Sequence, residues 1–154
     1  MRHNDSMTGQ RIDIRPITLD DAEAAARLSG ELGYPVDTAA MRVRLDLLLD
    51  LPDHGIFVAC QRDEVLGWIH VSAVLHLQSE PRAEVGGLVV TEGARGRRVG
   101  AALLAAAEDW ARENGLGIVL VRSQIKREDA HRFYLREGYA HTKTSAVFTK
   151  TLSD

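Results

Sequence analysis

The sequence predicts one mixed α/β domain, and three observations carry that prediction. Stretches with apolar residues at every second position intermix along the chain with stretches at helical spacing. An apolar run, Leu88, Val89 and Val90, leads through a glycine-containing turn into an Ala/Leu-rich helical pattern ending near Arg112. Residues 116–122 are almost continuously apolar, as in a strand buried on both faces. A chain of 154 residues holds one domain with a real core and is too short for two comfortable ones.

The elements follow in order. Residues 1–10 are polar and read as a flexible tail, so the domain spans residues 11–154. Residues 11–17 alternate around Ile12 and Ile14 and suit an opening strand. Thr18 is a good N-cap, and Asp20 and Asp21 suit the positive end of the helix that follows. That helix stops at Leu32, Gly33, Tyr34 and Pro35. A second helix fits residues 37–50, with Met41, Leu45, Leu48 and Leu49 at helical spacing and Pro52 beyond it. Residues 55–61 and 65–77 read as an antiparallel hairpin around Arg62, Asp63 and Glu64. A strand over 82–90 precedes the glycine turn and the third helix, which Asn114 and Gly115 end. Residues 116–122 form the next strand, 127–136 a short helix closed by Gly138, and 139–141 with 146–152 a final hairpin.

Bulk properties exclude several classes. A net charge of -3 argues against a general nucleic-acid binder. No apolar run approaches the ~20 residues of a membrane span. One cysteine, Cys60, cannot make an internal disulfide, which points to a reducing cytoplasm. Cys60 lies mid-strand between apolar neighbours and reads as buried and inert. No His, Cys, Asp and Glu set has metal-ligand spacing, so no metal is expected.

The turn Arg95, Gly96, Arg97, Arg98, Val99, Gly100, Ala101 carries the chemistry. A strand, a glycine turn and a helix start present unpaired backbone N–H groups to an anion. The helix dipole adds roughly half a positive charge, and three arginines add whole ones. A group bearing phosphate is expected here; the plainer reading is a glycine turn with solvated arginines. A P-loop nucleotide site is disfavoured, because no Gly-Lys-Ser/Thr follows the glycines.

This order of elements, with two motifs, resembles the GNAT superfamily of acetyl-CoA-dependent N-acetyltransferases. The acyl-CoA signature Q/R-x-x-G-x-G/A falls on Arg95, Arg98 and Gly100, with Arg98 where the family has glycine. The tail motif A-x-x-F-Y-x-x-x-G-[FY] is intact from Ala130 through Phe133, Tyr134 and Gly138 to Tyr139. Arg127 stands where an asparagine often contacts the cofactor. The resemblance covers nearly the whole chain from about Arg11. It implies a central mixed, mostly antiparallel sheet of about seven strands flanked by about four helices. It also implies acetyl-CoA as co-substrate and a small-molecule amine as partner. Homodimers through the last strands are common among such proteins.

The resemblance assigns roles to residues. The backbone from Arg95 to Ala101, namely Arg95, Gly96, Arg97, Arg98, Val99, Gly100 and Ala101, would wrap the pyrophosphate. Leu88, Val89 and Val90 would pair with pantetheine as an added strand. Gly86 and Gly87 fit a bulge or close ligand approach there, or a simple kink. Tyr134 would be the general acid, since a phenol still holds its proton at neutral pH; otherwise it packs with Phe133. Glu84 is either the base, acting directly or through water, or an ordinary strand-edge carboxylate. His70 shares a strand face with Trp68, Ser72 and His76. It either lines the acceptor pocket and relays a proton or is a hydrogen-bonded strand histidine. Acceptor recognition falls on the 32–37 loop with Tyr34 and on 141–145, with Glu31, Asp37, Asp46 and Asp50 as acids that could attract a cationic amine.

The expected activity is direct acetyl transfer to a primary amine, such as one on an aminoglycoside-like molecule. The rival readings are a protein N-terminal or peptide acetyltransferase, and an acyl-CoA binding or sensing module without turnover.

Overall fold

The computed structural model describes residues 3–5, 10–95, 98–122 and 128–153. The chain forms two compact units, Met1–Arg122 and Ser123–Asp154.

The first unit is built on a six-stranded sheet in sequential order: β1 (His3–Asp5), β2 (Gln10–Pro16), β3 (His54–Gln61), β4 (Glu64–Val74), β5 (Arg82–Val90) and β6 (Val119–Val121). Neighbours from β1 to β5 are antiparallel, and β6 joins β5 in parallel. The sheet is therefore mixed and mostly antiparallel, as predicted. Its strand content departs from the prediction at both ends of the chain. Where the sequence suggests a loose tail, His3–Asp5 pairs with β2 through His3↔Ile12 and Asn4↔Arg11. A backbone ladder asks nothing of the side chains, so polar composition did not forbid it.

Helices cover both faces. α1 (Ala22–Leu32) follows a 3-10 turn over Leu19–Asp21, and α2 (Thr38–Leu49) starts where the Asp37 carboxylate accepts the Ala40 amide at 2.7 Å. Gly33 ends α1 in the left-handed conformation, φ 101°, which glycine adopts without a Cβ clash. On this face Ala25 and Leu28 of α1 and Leu45 of α2 pack against Ile56, Val58, Cys60, Val65 and Val89. Trp68 closes the cluster, its indole N–H donating to the Ala25 carbonyl at 3.3 Å. α3 (Val99–Glu113) lies on the opposite face, burying the stripe Val99, Leu103, Leu104, Ala107 and Ala111. There Gly67 lets Leu103 reach the sheet: a Cβ on Gly67 would sit 3.1 Å from the Leu103 methyl. Each fully buried leucine stabilises the fold by about 1.5–3 kcal/mol.

The entry to α1 is tied by a buried carboxylate. Asp21 accepts both guanidinium nitrogens of Arg15 at 2.8 Å and the Thr18 amide at 2.8 Å. The Arg15 hydrogen bonds hold its carboxyl below the usual range against the opposing effect of burial.

The second unit contains α4 (Glu128–Arg136), closed by Gly138 at φ 96° with the Tyr139 amide donating to the Tyr134 carbonyl. The final hairpin predicted over 139–141 and 146–152 is not formed: the described residues 139–153 hold no strand. Alternation there supplies two faces but no partner ladder within the unit, and Val147, Phe148 and Leu152 stay exposed. No described helix is long and apolar enough to cross a membrane.

Candidate active site

The glycine pair in β5 resolves as a bulge. His70 pairs with Gly87 and Val71 with Val85, so Gly86 is the extra residue on β5. The bulge coincides with a second change. β6 pairs with Ala83, Glu84 and Val85, and its ladder ends there. Leu88, Val89 and Val90 therefore continue along β5 beyond the cover of β6.

Alternation of the antiparallel ladder decides which backbone groups face that outer edge. The Thr91 amide donates to the Leu66 carbonyl at 2.7 Å, marking an inward-bonding pair. Stepping back along β5, Val90 and Leu88 then turn their N–H and C=O outward, while Val89 turns its own toward Trp68. Of the three residues the sequence singles out, two present backbone to a ligand strand, and Val89 instead buries its side chain against the Trp68 cluster.

β5 leads through a 3-10 turn at Glu92–Ala94 into α3. This turn is anchored by Glu31, whose carboxylate accepts the Thr91 hydroxyl and the Glu92 amide, each at 3.1 Å. Asp37 is the α2 cap, so two of the acids expected to attract an amine hold backbone instead. The first intrahelical bond of α3 runs from the Ala102 amide to the Arg98 carbonyl. The amides of Val99, Gly100 and Ala101 therefore have no partner within the helix, and the dipole adds positive potential there. Arg95 and Arg98 are exposed at this end. Arg98 takes the left-handed conformation, φ 63°, a geometry that glycine meets more cheaply at this place in the signature. Gly96, Arg97 and Arg127 lie outside the described residues.

On the sheet face that carries α1, polar groups gather at the β5 bulge and beyond it. Glu84 pairs across the ladder with Ser72 and meets Arg122 at 3.4 Å; the two side chains are 24% and 58% exposed. His70, two residues along β4 from Ser72, is half-buried on the same face. Its Nε2 lies 2.8 Å from Nδ1 of His54, the first residue of β3, and His54 Nε2 is 3.9 Å from an Asp53 carboxylate oxygen. Burial first, and the charge of His54 second, pushes the His70 imidazole below its ordinary value. His54 was not singled out from the sequence. The signal was present, since the 62–63 turn fixes the β3–β4 register, but a bulge at Leu66 shifts it by one residue.

Other predicted residues fall as follows. Tyr34 is 57% exposed in the α1–α2 loop, with its amide and carbonyl both bonded to Ser29. Cys60 is buried, and burial pushes its thiol up, which leaves it a poor nucleophile. Tyr134 belongs to the second unit, on α4, with edge contacts to Phe133 and Tyr139 at 5.2 and 6.1 Å between ring centres. No cluster of three or more His, Cys, Asp or Glu suited to a metal occurs among the described residues. An open cleft of about 690 Å³ lies at the β3–β4 turn, lined by Asp20, Glu23, Arg27, Arg62, Asp63 and Glu64. It is formed by α1, its entry turn and that hairpin, so it does not coincide with the β5 edge.

Comparison with known proteins bears on the family and the fold. Residues 20–139 match the Acetyltransferase (GNAT) family, a span that runs through both units. The chain is 36% identical over 142 residues to an aminoalkylphosphonate N-acetyltransferase of Salmonella typhimurium, covering 91% of each protein. It is 28% identical over 123 residues to an uncharacterised N-acetyltransferase of Bacillus subtilis, covering 80% of this chain and 86% of that one. Among solved structures it resembles an aminoglycoside N-acetyltransferase in complex with CoA, with a TM-score of 0.83 at 20% identity over 92% of this chain and 96% of that one. At that identity the likeness concerns the fold.

Proposed function

Because the chain belongs to the acetyltransferase (GNAT) family, we propose that it moves the acetyl group of acetyl-CoA directly onto the primary amine of a small acceptor, an aminoalkylphosphonate first among them. The observation that carries this reading is the continuity between two backbone features. The uncovered edge of β5 beyond the Gly86 bulge comes shortly before α3 in the chain, and the first amides of that helix, Val99 to Ala101, have no partner within it. An extended pantetheine suits the first as an added strand, and a pyrophosphate suits the second.

In this reading Leu88 and Val90 bond the pantetheine, with Val89 fixing the strand they lie on. The amides of Val99, Gly100 and Ala101 hold the pyrophosphate, and Arg95 and Arg98 add charge, joined by Gly96, Arg97 and Arg127. Glu84 takes the acceptor proton directly or through water, and Tyr34 and His70 line the acceptor region. Tyr134 protonates the leaving thiolate; this role rests on its motif and on phenol chemistry. Direct transfer is favoured because the one thiol, Cys60, is buried with its proton held more tightly.

The phosphonate acceptor takes precedence over an aminoglycoside because a 36% identical relative spans 91% of the chain, whereas the aminoglycoside enzymes share the fold at 17–20% identity. The deciding experiment is thiol release from acetyl-CoA with aminoalkylphosphonates, aminoglycosides, polyamines, amino acids and peptides side by side. Turnover best with aminoalkylphosphonates supports the full reading. Turnover best with peptides would move the assignment to protein substrates, and CoA binding without turnover would leave a binding module.

A further inference from the structure

We propose that His70, His54 and Asp53 form a relay that takes the proton released by the acceptor amine and delivers it to solvent at the end of the sheet. The proposal rests on the acetyltransferase reading above and adds to it a route for the proton.

The geometry is a graded chain. His70 is half-buried on β4 opposite Gly87, next to the bulge where β5 loses its β6 neighbour. His54, with its side chain 23% exposed, bonds His70 at 2.8 Å, and Asp53, 59% exposed, stands 3.9 Å from the far nitrogen of His54. Exposure thus rises step by step from β4 to the chain just before β3. Both ring nitrogens of His54 are engaged, Nδ1 toward His70 and Nε2 toward Asp53, which is what passing a proton through an imidazole requires.

The charges around His70 favour the direction of transfer. Among the described residues, the titratable groups about it are His54 of β3, Asp53 just before that strand, Glu84 of β5 and its partner Arg122 just after β6. α1 meets β4 through Ala25 and Trp68. Burial and His54 both disfavour a charged His70, so it enters the reaction neutral and does not keep the proton it gains. The starting arrangement has His70 Nε2–H donating to His54 Nδ1, which leaves His70 Nδ1 as acceptor. As the new C–N bond forms and the C–S bond breaks, Glu84 takes the amine proton, directly or through water, and hands it on to His70 Nδ1. The His70 Nε2 proton moves to His54 Nδ1, and the His54 Nε2 proton leaves to Asp53 or bulk water. One proton enters and one leaves, and exchange with solvent restores the starting tautomers. Glu84 is paired with Arg122 at 3.4 Å, and that pairing does not lead outward to a second titratable group.

The test uses the full-length protein, acetyl-CoA and the best amine from the acceptor screen. His54→Gln keeps a polar side chain of similar reach but cannot pass a proton from one nitrogen to another. Asp53→Asn changes an exposed residue and serves if the first variant folds poorly. We expect His54→Gln to lower kcat about tenfold near pH 7, with CoA affinity unchanged by calorimetry. The deficit should shrink as pH rises and hydroxide takes the proton that the blocked relay no longer carries, and imidazole in the buffer should restore part of the rate. Asp53→Asn should show a smaller loss with the same pH trend. An unchanged kcat in both variants, or a loss equal at every pH with no imidazole rescue, would overturn the relay while leaving the acetyltransferase reading intact. Absence of turnover by the wild-type protein with every amine would remove that reading and the relay with it.

Discussion

Gly87 lies against the indole of Trp68, so close that a Cβ added there would fall 2.8 Å from the Cη2 and Cζ3 atoms of the ring. The indole cannot swing away freely, because its N–H is bonded to the Ala25 carbonyl of α1. Bulge, indole and helix are thereby locked together at the edge proposed to bind pantetheine. Gly87→Ala should destabilise the protein by about 1–3 kcal/mol, as overpacking does. It should also raise the KM for acetyl-CoA, because β5 must shift where Leu88 and Val90 turn outward. Urea unfolding and steady-state kinetics on one preparation check both, and a wild-type midpoint would show that the indole yields easily.

Arg98 sets two effects against each other. Its left-handed backbone, φ 63°, costs about 1–2 kcal/mol for a residue with a Cβ, partly offset in any glycine variant by the larger entropy glycine loses on folding. Arg98→Gly should therefore raise stability by about 0.5–1 kcal/mol. Arg98 is the exposed N-cap residue of α3, at the positive end of the helix, so the same change should weaken CoA binding about five- to tenfold. Calorimetry with CoA alongside urea unfolding reads the two signs. Unweakened CoA binding would mean that the backbone amides alone hold the pyrophosphate.

How much of this was legible in the sequence follows from how local each feature is. The β5–turn–α3 junction depends on neighbours in the chain, so glycines after an apolar run revealed it. The Gly86 bulge was legible for the same reason, since glycine inside a strand gives up side-chain packing for backbone freedom. The His54–His70 pair depends on strand register, which the bulge at Leu66 displaces by one residue. Asp21 was read as a dipole partner for its helix, but its main partner is Arg15, on the strand before that helix. Alternation in residues 146–152 suggested a strand, although alternation describes the faces of a strand and says nothing of its neighbour.

The Asp21–Arg15 pair predicts a defined acid limb of stability. The Arg15 hydrogen bonds lower the Asp21 pKa in the folded state below its unfolded value, near 3.9. The resulting stabilisation is complete above that unfolded value and is lost as pH falls through the lower, folded one. Asp21→Asn should cost about 2 kcal/mol at pH 7, and the gap between variant and wild type should close below about pH 4. Thermal melts from pH 3 to 8 measure it. A gap of constant size across that range would assign the loss to the Thr18 amide bond rather than to the charge.

Tyr134→Phe separates chemistry from binding. The phenol and phenyl rings have the same shape, so the edge contacts with Phe133 and Tyr139 and the backbone bond from the Tyr139 amide are retained. What is removed is one hydroxyl, which at neutral pH carries a proton that a departing thiolate can take. If that proton is used in the step that limits turnover, kcat should fall at least about tenfold while CoA affinity stays within about twofold. A thiolate is stable enough to leave unaided at high pH, so the deficit should narrow toward the alkaline limb of the profile. Single-turnover measurements with the best acceptor amine, alongside CoA calorimetry, give both quantities. A wild-type kcat would leave Tyr134 as a packing residue of α4 and require the thiolate to depart without a protein acid.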